Sequence, residues 1–348
     1  MNKWLWLGLK MVVSAALLFV VLRRVEAAQL RAILHQAHVG YLAIAVGLYC
    51  LGQLMCAYRW KILMQPVGLN LSYGQAASLY FLGMFFNLFF PTMVGGDVVK
   101  VYYVTREGSD VPRATASVLM DRISGLCALL LLAVVVAGVA DVRFLQTPLL
   151  PPLLGIFLLF GAATFTLFHE PAYRWLASLF ERWRVRRLVN LTEQFHQAFA
   201  SYRQSVAPVI FAVVLSLVFD VALISFAYVA AAAIGWPVAF KYFCVFIPLI
   251  ALIGMIPITV YGFGLREYSF VFFFSQVGMS QEASLLLAFL FFFIVVVASL
   301  PGAIIYVVYR TSGAALPIPK TPHTEPSNHC LPATPMYDNI ASHQQERS

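Results

Sequence analysis

Long apolar runs alternate with short polar connections along most of the chain. Runs of about 20 residues can cross a hydrocarbon core about 30 Å thick as α-helices. Because such runs recur from end to end, the pattern predicts an all-α, polytopic membrane protein. We expect six full spans, at residues 4–22, 39–58, 114–139, 152–168, 207–233 and 282–309.

Two further apolar regions are interrupted and are not expected to form single spans. The first covers residues 75–105 and is broken by segment 91–97, and the second covers residues 242–275 and is broken by segment 257–264. Both breaks contain Pro and Gly, which leave backbone polar groups without helical partners. Lipid cannot satisfy those groups, so such breaks persist only inside protein or beside water. The pattern therefore predicts two re-entrant pairs of half-helices within the bundle.

The order of elements is the same in two halves of the chain, at about residues 1–140 and 141–310. Each half runs span, span, broken pair, span, which makes eight membrane-embedded elements in total. Because each half crosses an odd number of times, the second is expected to lie upside down, as an inverted repeat. Residues 311–348 are polar and rich in Pro, Ser, Thr and His, which predicts a disordered cytoplasmic tail.

The distribution of charge predicts the orientation in the membrane. Only 11% of residues are charged, against roughly 25% in soluble domains, and the formal net charge is +8. A positive excess in a membrane protein marks cytoplasmic loops, so we expect no nucleic-acid partner. Most Lys and Arg, Arg59 among them, fall in loops on the side of the N-terminus. This bias favours cytoplasmic N- and C-termini in a bacterial inner membrane. Arg23 and Arg24 are exceptions to this bias, because they fall on the opposite side. These two arginines also follow the first apolar run directly, which favours a retained first helix over a cleaved signal peptide.

The residues typical of metal and catalytic centres do not form recognisable motifs. The five cysteines form no CxxC pair, and the seven histidines have no ligand spacing. No P-loop and no Ser–His–Asp order is present. We therefore expect no metal, no cofactor, no ATP hydrolysis and no enzymatic activity.

The first break carries a group of residues suited to binding an anion. Gly95 and Gly96 permit a tight turn, and Asp97 then opens a half-helix that contains Lys100. Together with Asn87 before the break, they would surround a helix N-terminus, which can hold a phosphate or carboxylate. The alternative is that Asp97 serves only as the N-cap of its helix.

The second break repeats this arrangement. Gly262 and Gly264 precede Arg266 and Glu267, so that an acidic residue again stands at the start of a short helix. In an inverted repeat the two breaks would enter from opposite faces and meet near the midplane. Transporters built from inverted repeats bind substrate there.

Asp121, Arg122 and Asp220 fall inside predicted spans. Asp121 and Arg122 are adjacent, so they cannot share a helix face and need different partners. We expect Lys100 to pair with Asp121 and Glu267 to pair with Arg122, in a substrate site or in a purely structural ion-pair network. Asp220 stands alone in its run, and a structural role is favoured for it.

Segment 173–203 mixes aromatic and aliphatic residues with arginines, and it is typical of an amphipathic helix on an anionic leaflet. The alternative is that it recruits lipid head groups. The arginines expected to contact the anionic lipid surface are Arg174, Arg182, Arg184, Arg186 and Arg187.

Several short motifs, taken in order, resemble the lysylphosphatidylglycerol synthase transmembrane, or flippase-like, family. The resemblance covers roughly residues 1–310 and implies a helical bundle with re-entrant helices that moves aminoacylated or other lipids between leaflets. Some members carry a soluble aminoacyl-transfer domain, whereas here only the polar tail follows, so synthase activity is not expected. The motifs are Arg59-Trp60, Asn87…Pro91…Gly95-Gly96-Asp97, Asp121-Arg122 and Gly262-Phe263-Gly264…Glu267.

The expected function is that of a lipid flippase or transporter for an anionic or modified, lipid-linked phospholipid. Movement without an ATP motif must follow a gradient or be driven by protons or another ion. Two alternatives stay open: a membrane enzyme that uses the cavity carboxylates, and a non-transporting subunit that partners a lipid-modifying or glycolipid enzyme. The head group would be attracted by Lys100, Arg122 and Arg266, while Asp97, Asp121 and Glu267 would organise these cations or receive an ammonium group.

Overall fold

The chain folds as an all-α bundle, as the apolar pattern predicts. A computed structural model describes residues 11–12, 16–17, 19, 33, 37–90, 94–106, 110–169, 171, 198–236, 238–256 and 258–311. The span predicted at residues 4–22 lies mostly outside this set, and the five arginines of the basic segment and nearly all of the tail lie outside it. The helices are α1 (Val39–Met64), α2 (Tyr73–Asn87), α3 (Gly95–Thr105), α4 (Val111–Val139), α5 (Leu150–Phe168), α6 (Val206–Ala233), α7 (Phe240–Met255), α8 (Leu265–Ser275) and α9 (Gln281–Thr311).

The helix lengths confirm a polytopic membrane protein. Among the described residues, four helices are long and apolar enough to cross a membrane, namely α1, α4, α6 and α9, while α5 and α7 are shorter apolar helices. A short antiparallel hairpin, β1 (Arg143–Phe144) and β2 (Thr147–Pro148), joins α4 to α5. The end of the second span was predicted too early, because α1 runs on to Met64. Arg59, assigned to a cytoplasmic loop, therefore lies within a helix and is 5% exposed.

Each interrupted region contains two short helices separated by its break. Helix α2 has 15 residues and α3 has 11, which correspond to about 22 Å and about 16 Å of rise. Helices α7 and α8 have 16 and 11 residues. The turn before α8 requires left-handed backbone at Tyr261, Gly262 and Gly264, whose φ angles are 52°, 76° and 82°. Glycine adopts this conformation without strain, whereas Tyr261 is held in it.

The bundle packs around the long helices. Helix α6 lies along α1, helix α9 contacts α2 and α8, and α4 contacts α1, α3, α6 and α7. Glycine permits close backbone contact between helices at two places. A Cβ added at Gly302 of α9 would overlap the Phe81 carbonyl oxygen of α2, and one added at Gly96 of α3 would overlap the Gly83 carbonyl oxygen of α2. Small residues permit such close contact between membrane helices.

Gly302→Ala should destabilise the protein, because its new methyl group would overlap the backbone of α2. Overpacking of this kind costs about 1–3 kcal/mol. We expect a lower melting temperature for the purified protein in detergent. Gly47→Ala on α1 is the matched control, since nothing lies within 4 Å of its added Cβ. Equal melting temperatures for the two variants would contradict the close packing of α9 on α2.

Candidate functional site

A cavity of about 320 Å³ lies inside the bundle, and every described helix except α5 contributes to its wall. Apolar side chains from α4, α6, α7 and α9 form one part of the lining, and a concentration of polar and charged side chains forms the rest. The polar lining residues are Tyr49, Gln53, Cys56, Arg59, Tyr80, Asn87, Lys100, Asp121, Arg122, Asp220, Tyr261 and Arg266.

Asp97 joins two cations on different helices. Its Oδ2 accepts a hydrogen bond of 2.8 Å from Arg122 Nε, and its Oδ1 lies 3.4 Å from Lys100 Nζ. The Lys100 ammonium also lies 3.7 Å from the centroid of the Tyr80 ring, a cation–π contact. Both Asp97 and Lys100 are buried, whereas the side chain of Arg122 is 42% exposed and lines the cavity. The Asp97 carboxylate, which is not part of the cavity lining, therefore binds Arg122 through Nε and leaves the rest of the guanidinium accessible from the cavity.

A second ion pair joins three helices. Arg59 Nε on α1 donates to Asp121 Oδ1 on α4 at 2.7 Å, and Arg59 Nη1 donates to Ser216 Oγ on α6 at 2.7 Å. Gly125, one turn after Asp121, makes room for this guanidinium, since an added Cβ would lie 3.2 Å from Arg59 Nη1. Asp121 is 1% exposed, so the pair is buried in the interior.

The third group stands at the start of α8. Glu267 Oε2 accepts a hydrogen bond of 2.7 Å from the backbone N–H of Gly264, and its Oε1 accepts one of 2.6 Å from Arg266 Nη2. The guanidinium carbon of Arg266 also lies 5.0 Å from the ring centroid of Phe292 on α9. Glu267 therefore satisfies an N-terminal donor of its helix and orients Arg266, which reaches the cavity.

The start of α3 is satisfied by a side chain from α2. The Asn87 Oδ1 accepts a hydrogen bond of 2.6 Å from the backbone N–H of Gly96. The N-cap residue is Val94, and Asp97 is in the first helical turn, where its carboxylate binds Arg122 and Lys100. The alternative prediction that Asp97 only caps its helix is therefore wrong. A carboxylate in the first turn still interacts favourably with the helix dipole.

Asp220 differs from the other carboxylates at the cavity. It is 2% exposed on α6, and its Oδ2 makes no hydrogen bond with any described residue. Neighbouring Arg59 directs two of its donors to Asp121 and Ser216. Within the described ranges, no group of three or more His, Cys, Asp or Glu side chains is placed to hold a metal ion.

Comparison with known proteins agrees with this architecture. The family described as "Lysylphosphatidylglycerol synthase TM region" matches residues 7–302, most of the chain. The chain belongs to this family. A UPF0104 membrane protein from Pyrococcus horikoshii is similar to this family member, with 29% identity over 91 residues. That match spans 25% of this chain and 27% of the relative, about a quarter of each.

For this member of the family, the cavity brings together part of the predicted site. Asn87, Lys100, Asp121, Arg122 and Arg266 line it. The remaining predicted residues lie outside its lining; they hold the cavity residues in place or shape the turns. Those residues are Gly95, Gly96, Asp97, Gly262, Gly264 and Glu267.

The predicted ion-pair partners were wrong. Asp121 pairs with Arg59 instead of Lys100, and Arg122 pairs with Asp97 instead of Glu267. Arg59 was missed because the apolar run ends at residue 58, which made it resemble a loop cation. Its position beside Trp60 in a family motif was the available signal. The cavity lining also includes Gln53, Tyr80 and Asp220. Of these three, only Asp220 had a signal in the sequence, namely a lone charge inside an apolar run.

Proposed function

We propose that the chain moves an anionic phospholipid, or a modified or lipid-linked one, between membrane leaflets through the cavity. The observation that carries the proposal is the arrangement of charge around it. Lys100, Arg122 and Arg266 line the cavity, while Asp97 and Glu267 contact these cations from outside the lining. The surface offered to a ligand is therefore rich in cationic donors.

The donors suit a phosphodiester head group. A guanidinium presents its N–H groups in a planar fork that matches phosphate oxygens. Arg122 Nε is bound to Asp97, and the side chain stays 42% exposed, so the end of the fork can bind a ligand. The apolar wall from α7 and α9 offers a path for acyl chains. The family description names lysylphosphatidylglycerol, which contains a phosphodiester, and it supports a modified phospholipid as the substrate.

The membrane arrangement that fits this role has six full spans and two re-entrant pairs, formed by α2 with α3 and by α7 with α8. The short helices of each pair cannot both cross the membrane, since 11 residues rise only about 16 Å. The two halves would form an inverted repeat with the cavity between the breaks. In a bacterial inner membrane the arginine-rich segment would face the anionic cytoplasmic leaflet, where a lipid-modifying enzyme could supply the substrate.

Labelling of single cysteines tests the proposed orientation, in which both termini are cytoplasmic. In a cysteine-free background, a single cysteine in place of Ser348 should resist an impermeant thiol reagent in intact cells and react after the cells are lysed. A cysteine replacing Thr147 in the β1–β2 hairpin should react in intact cells, because the hairpin lies at the opposite end of α4 from the cytoplasm. The reverse pattern would overturn the orientation.

Filling the cavity tests the proposed function. Proteoliposomes that contain the full chain should exchange a labelled anionic phospholipid between leaflets faster than protein-free vesicles. Ala251→Trp on α7 places a large side chain in the cavity and should slow exchange at least about tenfold, a barrier increase of about 1.4 kcal/mol. Val214→Trp is the control, because residue 214 is 52% exposed on the outer face of α6.

Two outcomes would contradict the proposal. Wild-type vesicles could exchange the label no faster than protein-free vesicles, in which case the chain does not move this lipid. Alternatively, Ala251→Trp could leave exchange at the wild-type rate while the protein remains folded, in which case the cavity is not the path. Chemical conversion of the labelled lipid would indicate an enzyme instead.

A further inference from the structure

The proposed function assigns no role to the carboxyl group of Asp220. It is near the middle of α6, a helix of 28 residues, which places it deep within a membrane-spanning segment. It lines the cavity, is 2% exposed, and leaves Oδ2 without a hydrogen bond among the described residues. An ionised carboxylate buried without a partner is costly, and proteins generally relieve that cost by binding a proton or a cation.

Among the described residues, no cation forms an ion pair with Asp220. From α1, Arg59 is the nearby cation, but its Nε and Nη1 donate to Asp121 and Ser216 at 2.7 Å each. Cys56 of α1 also lines this part of the cavity, and Asp121 of α4 contributes a second negative charge. The lining residues of α7 and α9 are apolar.

The charges on and around the whole cavity are balanced in number. Among the described residues that line the cavity or contact its cations, each cation is matched by one carboxylate when Asp220 is ionised. A proton on Asp220 removes one negative charge and leaves the cavity with a net charge of one positive unit. The cations are Arg59, Lys100, Arg122 and Arg266, and the carboxylates are Asp97, Asp121, Asp220 and Glu267.

We propose that Asp220 is a proton-binding site, and that its proton moves in the same direction as the anionic lipid. This inference rests on the proposed lipid movement. A phosphodiester carries one negative charge, so it binds better to the cavity when Asp220 is protonated. By linkage, the bound lipid favours protonation to the same degree.

The proton balance of the step is simple. A hydronium ion on the more acidic side breaks one O–H bond and transfers its proton to the Asp220 carboxylate, forming a new O–H bond there. That bond breaks when the lipid leaves, and the proton passes to water on the other side as hydronium. One negative and one positive charge cross together, so the step is electroneutral. A pH gradient should therefore drive the lipid, whereas a membrane potential should not.

The test uses full-length protein in proteoliposomes that contain a labelled phosphatidylglycerol. With one proton per lipid, a gradient of one pH unit should enrich the label about tenfold in the leaflet on the alkaline side. A protonophore should abolish the enrichment, and a pH-sensitive dye should report proton entry that depends on the lipid. Asp220→Asn should still exchange the label at equal pH but show no enrichment in the gradient.

Control variants keep the outcomes distinct. Asp220→Glu retains a titratable group and should restore part of the enrichment, whereas Asp141→Asn in the exposed hairpin region should behave as wild type. Enrichment by Asp220→Asn equal to wild type would overturn the inference, as would enrichment driven by a sodium gradient at equal pH. Wild-type exchange that ignores the pH gradient would overturn the proton site alone. Absence of any exchange would overturn the proposed function and this inference together.

Discussion

Arg122→Lys should lose most lipid exchange while the protein inserts in the membrane and stays monodisperse in detergent. Lysine keeps the charge but lacks the planar fork, so next to Asp97 it would hold the phosphate of the proposed substrate without the bidentate geometry that a guanidinium offers. A hydrogen bond to a charged group contributes about 1.5–3 kcal/mol, which corresponds to a loss of about tenfold or more in rate. Leaflet exchange of a labelled anionic phospholipid in proteoliposomes measures the effect.

Two further variants show whether a loss of lipid exchange in Arg122→Lys is specific to the site. Arg113→Lys, at the exposed start of the same helix, should exchange lipid at the wild-type rate. Asp97→Asn should impair exchange as well, because it removes the negative charge that holds Arg122 and Lys100. If both Arg122→Lys and Asp97→Asn exchange lipid normally, these residues only support the fold and the site is misplaced. If both fail to fold, their role is structural.

Arg59→Met should have the largest effect on stability. The substitution leaves Asp121 buried at 1% exposure without its cation, and breaking a buried pair costs about 3–5 kcal/mol. It also removes the donor to Ser216, which links α1 to α6. We expect a large drop in melting temperature in detergent and little correctly inserted protein at growth temperature.

The double variant Arg59→Met with Asp121→Asn shows whether the lost stability comes from an unpaired buried charge or from altered packing. Because both charges are removed, most of the lost stability should return, whereas Asp121→Asn alone should also destabilise the protein. An Arg59→Met variant with the wild-type melting temperature would contradict a structural role for the pair. A double variant no more stable than Arg59→Met would locate the effect in packing instead.

The sequence could predict the helices because their signals are local. Apolar run lengths placed α4, α5, α6 and α9 within a few residues of their observed ends, and Pro and Gly located both breaks. The end of α1 was misplaced because Arg59 looks like the polar boundary of a span. Whether such a cation ends a helix or enters the bundle depends on a partner 62 residues away, Asp121, which periodicity cannot reveal.

The sequence indicated several of the residues that line the cavity, but it did not indicate which of them contact each other. Charge inside an apolar run directed attention to Asp121 and Arg122, since such charges need partners, and both residues line the cavity and form ion pairs. Which partner each receives depends on helix rotation and crossing, and these are set by close contacts such as Gly96 against Gly83. A structural role was predicted for Asp220 because it stands alone in its apolar run, and the residues that share the cavity with it on α1, α4, α7 and α9 are distant in sequence.

A comparison of two labelled lipids tests whether the cavity moves lipids with anionic head groups, as the proposed function requires. Proteoliposomes of the full chain would carry either phosphatidylglycerol or a phosphocholine lipid with the same acyl chains and the same label. If the proposed function holds, phosphatidylglycerol should change leaflet faster than in protein-free vesicles and faster than the phosphocholine lipid, because Lys100, Arg122 and Arg266 on the cavity favour a head group with net negative charge. Equal rates for both lipids, or rates equal to those of protein-free vesicles, would contradict it.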